Sequence, residues 1–216
     1  MNILIVSATQ FEVKPLLQFL EVSHPIVGLN KPTNTLYNDV HVLITGIGMV
    51  NTAYMMGKYV QTQYDLVINV GVCGAFDTDL KLGQLVNITE DVLSEMGAED
   101  DEDFLTYDKL GLDGKHVFKN QYSIKNGLID ALPKVKGITV NTIHGNEQSI
   151  EKIKELYNPD VESMEGAAFF ASCGLIESKL QIRAISNYVE KRDKSKWNMP
   201  LAIENLNEFI IAFIKK

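Results

Sequence analysis

Three side chains of this 216-residue chain could do chemistry on a small polar molecule, and each follows or borders an apolar run. Glu12 comes after the first run, Glu165 lies in the segment ESMEGAA, and Asn187 ends the run RAIS. A carboxylate can activate water or accept hydrogen bonds from two neighbouring hydroxyls, whereas an amide donates and accepts hydrogen bonds without supplying a proton. The set could therefore hold a sugar, activate a nucleophile and contact a leaving group.

Each of the three side chains also has a purely structural interpretation. Glu12 could be an exposed helix residue, and Glu165 could be a first-turn carboxylate favoured by the helix dipole. Asn187 could cap or turn the chain after a strand. At each position the residue types alone leave both interpretations open.

Two glycine-bearing turns are predicted after neighbouring strands, where the backbone could approach a ligand. The first is Gly46-Ile47-Gly48, and the second is NVGVCGA at 69–75, which contains Gly74. The first turn matches a dinucleotide-binding turn only in part. Asn51 stands in place of the third glycine, and no acidic residue ends a following strand at the usual distance, so we predict no nicotinamide cofactor.

A single α/β domain covering residues 1–216 must position these side chains, because β-branched runs alternate with segments of helical period and no linker divides them. Several runs are apolar throughout, as expected for a sheet covered on both faces. The predicted strands are Asn2 to Ser7, Val40 to Thr45, Leu66 to Val70, Gly83 to Ile88, Ile138 to Thr142 and Gln181 to Ser186. The predicted helices are Gln10 to Leu20, Val50 to Gln63, Asn126 to Leu132, Gln148 to Leu156, Met164 to Leu175 and Pro200 to Ile214.

Composition argues against several classes of partner and of site. The net charge of −8 disfavours binding to nucleic acid or to an anionic membrane, since both rest on a basic surface. No apolar run approaches the roughly 20 residues of a membrane span, and the first residues lack the features of a signal peptide. Cys73 and Cys173 lack the spacing of a zinc site or a redox pair. We expect a cytoplasmic protein with two buried thiols and neither metal nor cofactor.

Two charged segments are prominent. From Leu82 to Asp108 there are nine acidic residues and no Lys or Arg, which predicts either a solvated loop or a flap over a pocket. A basic stretch follows Asn187 and could bind an acidic part of a substrate or form a solvated turn. It contains Lys191, Arg192, Lys194 and Lys196, and Trp197 comes next.

Taken together, the motifs resemble a known family. Glu12 after the first strand, the GIG turn, NVGVCGA, ESMEGAA and RAISN occur in the order found in the nucleoside phosphorylase and nucleosidase superfamily, over nearly the whole chain. Within it, the segment MGAEDDEDF, the asparagine of RAISN and the basic stretch with Trp197 are most similar to the futalosine hydrolases. The resemblance implies a three-layer α/β/α fold with a central mixed, mostly parallel twisted sheet.

The resemblance also implies roles for individual residues. Glu12 would activate the attacking water, Met164 would lie against the sugar and Glu165 would bind its hydroxyls. Gly74 and Ser163 would belong to the same substrate-binding surface.

The nucleophile is expected to be water rather than phosphate. Phosphorylases of the superfamily usually bring arginines to a phosphate near the glycine turns. The chain has only Arg183 and Arg192, and neither lies near those turns in the sequence.

The departing base is indicated by Asn187. Adenine-releasing nucleosidases of the superfamily have Asp after the AIS sequence, where this chain has Asn. Its carbonyl could accept from a protonated purine N7 while its NH₂ donates to a 6-oxo group, which favours hypoxanthine or guanine over adenine. With adenine the unmatched donor would cost about 1 to 3 kcal/mol. The resemblance implies futalosine as substrate, with hypoxanthine and dehypoxanthinyl futalosine as products, in menaquinone biosynthesis.

Three alternatives remain: a methylthioadenosine or S-adenosylhomocysteine nucleosidase, a purine nucleoside phosphorylase, and a nucleoside-binding sensor without activity. Arg192 or a neighbouring Lys is expected to pair with the benzoate carboxylate of futalosine. Phe104 or Trp197 could stack on the purine or pack in the core, and His144 could contact the ligand.

Superfamily members generally complete each pocket with a neighbour's residue, so the resemblance also implies a homo-oligomer.

Overall fold

Strands and helices alternate along most of the chain. The computed structural model describes residues 1–21, 28–29, 33–34, 39–60 and 64–215. The strands are β1 (Asn2–Ser7), β2 (Gly28–Leu29), β3 (Thr33–Asn34), β4 (Asp39–Ile44), β5 (Leu66–Ala75), β6 (Leu85–Leu93), β7 (Gly97–Asp100), β8 (Asp103–Thr106), β9 (Val117–Lys119), β10 (Lys134–Thr139), β11 (Val161–Ser163) and β12 (Lys179–Tyr188). The helices are α1 (Lys14–Phe19), α2 (Met49–Tyr59), α3 (Gly127–Asp130), α4 (Glu147–Tyr157), α5 (Gly166–Ser172) and α6 (Met199–Ile214).

The central sheet is mixed and mostly parallel, which confirms the expected fold class. Its strand order is β11-β10-β6-β12-β5-β1-β4-β2, and β3 and β9 pair with β4 and β6. β1 runs parallel to β4 and β5, and β5 runs parallel to β12, whereas β12 and β6 are antiparallel. Because β1, β5 and β12 are parallel neighbours, their carboxyl ends meet at one edge of the sheet, where open α/β sheets bind ligands.

Helices cover both faces of the sheet, which gives the three layers. In β1, Ile3 and Ile5 pack in a cluster with residues of α1 and α6, whereas Leu4 and Val6 pack with residues of α2 and α5. Successive side chains of a strand point to opposite faces, so a strand that is apolar at every position must be covered on both sides.

All six predicted helices are present, but their ends differ from the prediction. α1 begins at Lys14 rather than Gln10, because the residues around Glu12 form a hydrogen-bonded turn instead. α5 spans Gly166–Ser172 rather than Met164 to Leu175. The predicted end of α2, residues 61–63, lies outside the described residues.

The second glycine turn was predicted wrongly. The residues NVGVCGA belong to β5, which continues to Ala75 because it pairs with β12 on one side and with β11 on the other. Glycines in a strand mark a close approach of neighbouring groups, and here a side chain at Gly71 or Gly74 would meet side chains of other elements. β6, β10 and β12 likewise extend beyond or shift from their predicted bounds.

The acidic segment from Leu82 to Asp108 is built of strands, so the prediction of a loop without structure is wrong. Its first part belongs to β6, where Asp91 is fully buried, and β7 and β8 form a hairpin. Between β6 and β7, the carboxylate of Glu95 accepts hydrogen bonds from the backbone N–H groups of Asn141 and Thr142 at 2.9 and 3.2 Å. Closure of this segment over a pocket stays a prediction.

The two cysteines are buried and free. Burial raises the pKa of both thiols, Cys73 and Cys173, to about 12, which confirms the expectation of small buried side chains. No helix within the described ranges is long and apolar enough to cross a membrane.

Candidate active site

A cavity of about 370 Å³ lies at the carboxyl ends of β1, β5 and β12. Its lining also includes exposed apolar side chains of Phe11 and Ile47. All seven residues that the sequence analysis assigned to the site line this cavity, namely Glu12, Gly74, Ser163, Met164, Glu165, Asn187 and Arg192. The fold thus brings together residues from almost the full length of the chain.

Glu12 is a buried residue in the turn between β1 and α1, with 6% of its surface exposed, so it is not an exposed helix residue. One carboxylate oxygen accepts from the backbone N–H and the hydroxyl of Thr9 at 3.1 and 2.8 Å. The other accepts from the N–H of Val72 at 3.1 Å. On α6, the Asn207 side-chain NH₂ donates to the Glu12 carbonyl at 2.8 Å and fixes the backbone of the turn.

Burial raises the pKa of the Glu12 carboxyl, and the nearby Glu165 adds to the increase. Arg183 and the hydrogen bonds from Thr9 and Val72 oppose it. A carboxylate whose pKa is raised towards neutrality is a stronger proton acceptor, as general-base catalysis requires.

Glu165 precedes the first residue of α5, but its side chain makes no capping hydrogen bond to that helix. Its carboxylate instead accepts from the N–H of Gly48 at 3.1 Å and faces Arg183 Nη1 at 3.3 Å. Gly48 and Gly46 have φ values of 94° and 88°, a backbone region that favours glycine. The GIG turn therefore presents its N–H group to a carboxylate, and the interpretation of Glu165 as only a helix-end residue is wrong.

Sequence reasoning missed Arg183 as a partner of the residues that line the cavity. It lies in β12, is 1% exposed, and donates to Gln181 Oε1 at 3.1 Å, to Asn69 Oδ1 at 2.6 Å and to the Glu165 carboxylate. A charged residue within an apolar strand was the available signal. Its guanidinium compensates the negative charge of the two buried glutamates, since the energy of a buried carboxylate depends strongly on such pairing.

The fold also corrects the prediction that no arginine lies near either glycine turn. Arg183 contacts NVGVCGA through Asn69 and donates to the Val72 carbonyl at 3.4 Å. Four of its five N–H donors are used by protein acceptors in these contacts. A phosphate at this guanidinium would have to compete with Glu165.

Asn187 lies near the end of β12, directly after a bulge in its pairing with β5. Its Oδ1 accepts from the Ser186 hydroxyl at 2.8 Å and its Nδ2 donates to the Tyr188 carbonyl at 3.0 Å. These local bonds agree with a turn role but use only one lone pair and one N–H of the amide. One acceptor site and one donor remain for a ligand in the cavity that Asn187 lines.

Side chains of the basic stretch close one side of the cavity. The Arg192 guanidinium lies over the ring of Trp197 at 4.9 Å from its centroid, and both residues line the cavity. Phe104 lies in the β7–β8 hairpin and is not among the described residues that line it. Trp197 is therefore the better placed of the two aromatic residues considered for stacking.

His144 lines a smaller adjoining recess of about 40 Å³ and is hydrogen-bonded to Glu162. The recess shares Gly74 and Asn187 with the main cavity. Sequence reasoning missed Glu162, although it stands in the ESMEGAA motif. Within the described ranges, no group of three or more His, Cys, Asp or Glu side chains could hold a metal ion.

Comparison with known proteins assigns the family. Residues 2–215 match the sequence model of the Phosphorylase superfamily, which is almost the whole chain. The chain belongs to this superfamily.

Individual members of the phosphorylase superfamily resemble this chain at lower identity. A futalosine hydrolase of Thermus thermophilus is 27% identical over 172 residues, which cover 76% of each chain. A futalosine hydrolase structure from Helicobacter pylori aligns with a TM-score of 0.81 at 16% identity, covering 100% of this chain and 99% of that one. A methylthioadenosine/S-adenosylhomocysteine nucleosidase of Colwellia psychrerythraea, in complex with adenine, aligns with a TM-score of 0.76 at 20% identity, covering 100% and 95%. The structural matches describe the fold.

Proposed function

We propose that this chain is a nucleosidase that hydrolyses futalosine to hypoxanthine and dehypoxanthinyl futalosine without phosphate. The observation that carries the proposal is that Glu12, Glu165 and Asn187 line one cavity. In the proposed reaction they serve as the general base, the sugar-binding carboxylate and the amide that contacts the purine. The curated Thermus thermophilus relative, a futalosine hydrolase, supports the choice of substrate.

The two glutamates divide the work on the sugar. Glu165 accepts hydrogen bonds from the ribose hydroxyls, and Met164 lies against the ring. Glu12 takes a proton from water, and the water oxygen bonds to the anomeric carbon as the bond to the purine nitrogen breaks. The electron pair of that bond leaves with the base. A well-placed general base contributes about 10²- to 10⁴-fold in rate.

Water rather than phosphate is the nucleophile, because the guanidinium of Arg183 is buried and already bonded to protein groups. Its guanidinium is 1% exposed and is occupied by Glu165, Asn69, Gln181 and the Val72 carbonyl. A second charged donor for phosphate would have to come from Arg192, which lies over Trp197.

The test is free-base release from futalosine, inosine, methylthioadenosine and adenosine, each with and without phosphate. We expect hypoxanthine from futalosine without phosphate and little adenine. Adenine release at comparable rates would favour the methylthioadenosine nucleosidase alternative, and strict dependence on phosphate would favour the phosphorylase. Ligand-dependent thermal stabilisation without any free base would favour a sensor.

An Asn187→Asp variant sharpens the assignment of the base. The carboxyl can protonate N7 and accept from a 6-amino group, so the ratio of adenine to hypoxanthine release should rise at least tenfold. An unchanged ratio would show that Asn187 does not read the purine.

Arg192 is proposed to pair with the benzoate carboxylate of futalosine. Arg192→Ala should raise the KM for futalosine about tenfold, as expected for loss of one charge-assisted contact, and leave the KM for inosine, which lacks the benzoate, nearly unchanged. Steady-state kinetics on both substrates make the comparison. An unchanged KM for futalosine, or an equal rise with both substrates, would contradict this role.

We also propose a homo-oligomer in which a second copy covers the exposed apolar side chains beside the cavity. Phe11 and Ile47 line the cavity, and Val50 and Tyr54 lie one turn apart on α2 with 79% and 63% of their surfaces exposed. Contiguous apolar surface of this kind marks interfaces, and closed two-fold dimers are the commonest assemblies.

Val50→Glu should shift the mass measured by light scattering towards the monomer and lower kcat/KM for futalosine. Leu175→Glu is the matched control, because Leu175 is 88% exposed and does not line the cavity. A wild-type monomer at micromolar concentration would contradict the proposal.

We further propose that residues 1–216 act as one domain and that the reaction takes place in the cytoplasm. The sheet includes strands from Asn2 to Tyr188, and α6 packs on it, which supports the first statement. The free thiols of Cys73 and Cys173 support a reducing compartment.

A further inference from the structure

A partly buried histidine pairs with a buried glutamate in the small recess beside the cavity. His144 Nδ1 lies 2.6 Å from Glu162 Oε2, and the His144 backbone N–H donates to Glu162 Oε1 at 3.1 Å. The side chains are 14% and 4% exposed. Because both carboxylate oxygens bind the same residue, Glu162 fixes the position and the ring orientation of His144.

The pair leaves one ring nitrogen for the recess. An ionised carboxylate only accepts hydrogen bonds, so Nδ1 carries a proton and Nε2 is the nitrogen without a hydrogen-bond partner among the described residues. In an imidazolium the second proton is on Nε2, the nitrogen that Glu162 does not engage. The other charged groups that line the recess are Glu190, Lys191 and Arg192.

The recess adjoins the end of the cavity where Asn187 is proposed to contact the purine. Gly74 and Asn187 line both spaces, and Glu162 pairs with Gly74 across the β11–β5 ladder. Asn187 can orient a 6-oxopurine but has no proton to give, although the departing base needs one. The histidine is an oriented group in the same recess that can supply it.

We propose that His144, held by Glu162, is the general acid that protonates the departing purine. The inference rests on the proposed hydrolysis of a purine nucleoside and names the group that serves its leaving base. As the bond between the anomeric carbon and the purine nitrogen breaks, its electron pair moves into the base and the Nε2 proton passes to the base nitrogen. Water supplies hydroxide to the sugar and its other proton to Glu12. Solvent then returns a proton to His144 and removes one from Glu12, so the cycle is balanced.

The test compares two leaving groups in His144→Gln and Glu162→Gln. Futalosine releases a base that needs a proton, whereas 4-nitrophenyl β-D-ribofuranoside releases a stabilised phenolate that does not. His144→Gln should lower kcat for futalosine by about 10²-fold or more and lower that for the aryl riboside less than threefold. Glu162→Gln should show the same split with a smaller loss on futalosine, since a neutral partner still orients the ring.

His116→Gln is the matched control, because His116 also pairs with a carboxylate, that of Asp108 at 3.4 Å, and does not line the cavity or the recess. Its rates should equal those of the wild type. Equal losses on both substrates in His144→Gln would show a structural or sugar-binding role, and no loss on futalosine would exclude the acid role. A wild-type enzyme that releases no hypoxanthine from futalosine would refute the proposed function instead.

Discussion

Ser163 has a buried hydroxyl with no hydrogen-bond partner among the described residues, and it lines the cavity. Leaving a buried hydroxyl unpaired costs about 1 to 3 kcal/mol, and a ligand that binds it recovers that cost. Ser163→Ala should therefore raise the free energy of unfolding by about 1 kcal/mol while it raises the KM for futalosine several-fold. Urea titration and steady-state kinetics measure the two effects.

The control for Ser163 is Ser172→Ala, because the Ser172 hydroxyl donates to the Ala168 carbonyl within α5 at 2.7 Å. Its KM should stay at the wild-type value. A Ser163→Ala protein that is less stable and has an unchanged KM would show that the hydroxyl serves the fold rather than the ligand.

At the residue scale, motif order was enough to predict which side chains gather in the cavity, but not what pairs with them. Glu12 and Glu165 are both identified by their motifs, yet Arg183 between them follows only from the pairing of β12 with β5. The pairing of Glu162 with His144 was also not predicted, because the two residues are 18 positions apart in the sequence and meet only in the fold. The roles of the predicted site residues stay predictions until the variants are measured.

At the element scale, β5 explains one error of sequence reasoning. Glycine is the usual residue of turns, so NVGVCGA predicts a turn. In the structure Gly71 lies inside the strand. A Cβ at this position would be 2.5 Å from Arg183 Nη1 and 2.7 Å from Glu12 Oε1. The glycine is required by packing against two side chains that come from distant parts of the sequence.

Gly71→Ala should lower kcat/KM for futalosine by at least 100-fold, because the methyl group displaces Arg183 or Glu12, and small displacements of catalytic groups have effects of this size. Gly127→Ala is the matched control, since Gly127 lies in α3 and a Cβ there meets nothing within 4 Å. That change should leave kinetics unaltered and stabilise the protein by about 0.5 to 1 kcal/mol. Wild-type activity in Gly71→Ala would contradict the close approach.

At the scale of the whole molecule, a buried hydrogen-bonded chain links the far part of the sheet to the site. Asp91 on β6 accepts from Thr139 on β10 and from Gln181 on β12, each at 2.7 Å, and Gln181 in turn accepts from Arg183. Four strands therefore meet in one polar network beneath the cavity, since Arg183 also binds Asn69 on β5. No local pattern in the sequence predicts such a network, because its members are up to 114 residues apart.

Asp91 should make the stability of the protein depend on pH. Burial raises its pKa to about 6, above the value near 4 expected in an unfolded chain. Its contribution to folding is therefore complete below about pH 4 and is lost as the pH rises through about 6. The quantity to measure is the unfolding free energy of the wild type minus that of Asp91→Asn. This difference should fall by about 3 kcal/mol between pH 4 and 7.5.

Urea midpoints across this pH range give the difference directly. Asp79→Asn, at an exposed position, is the control for the loss of one carboxyl group. A constant difference for Asp91→Asn would mean that its carboxyl titrates alike in the folded and unfolded chains.

Asn207 links the Glu12 turn to α6. Its amide binds the Glu12 carbonyl across 195 residues and also accepts from the N–H of Leu16. The turn that holds Glu12 is therefore fixed by a helix that packs on the outside of the sheet. A local opening of α6 would release Glu12 while the strands stay paired, so activity should be lost before the sheet unfolds.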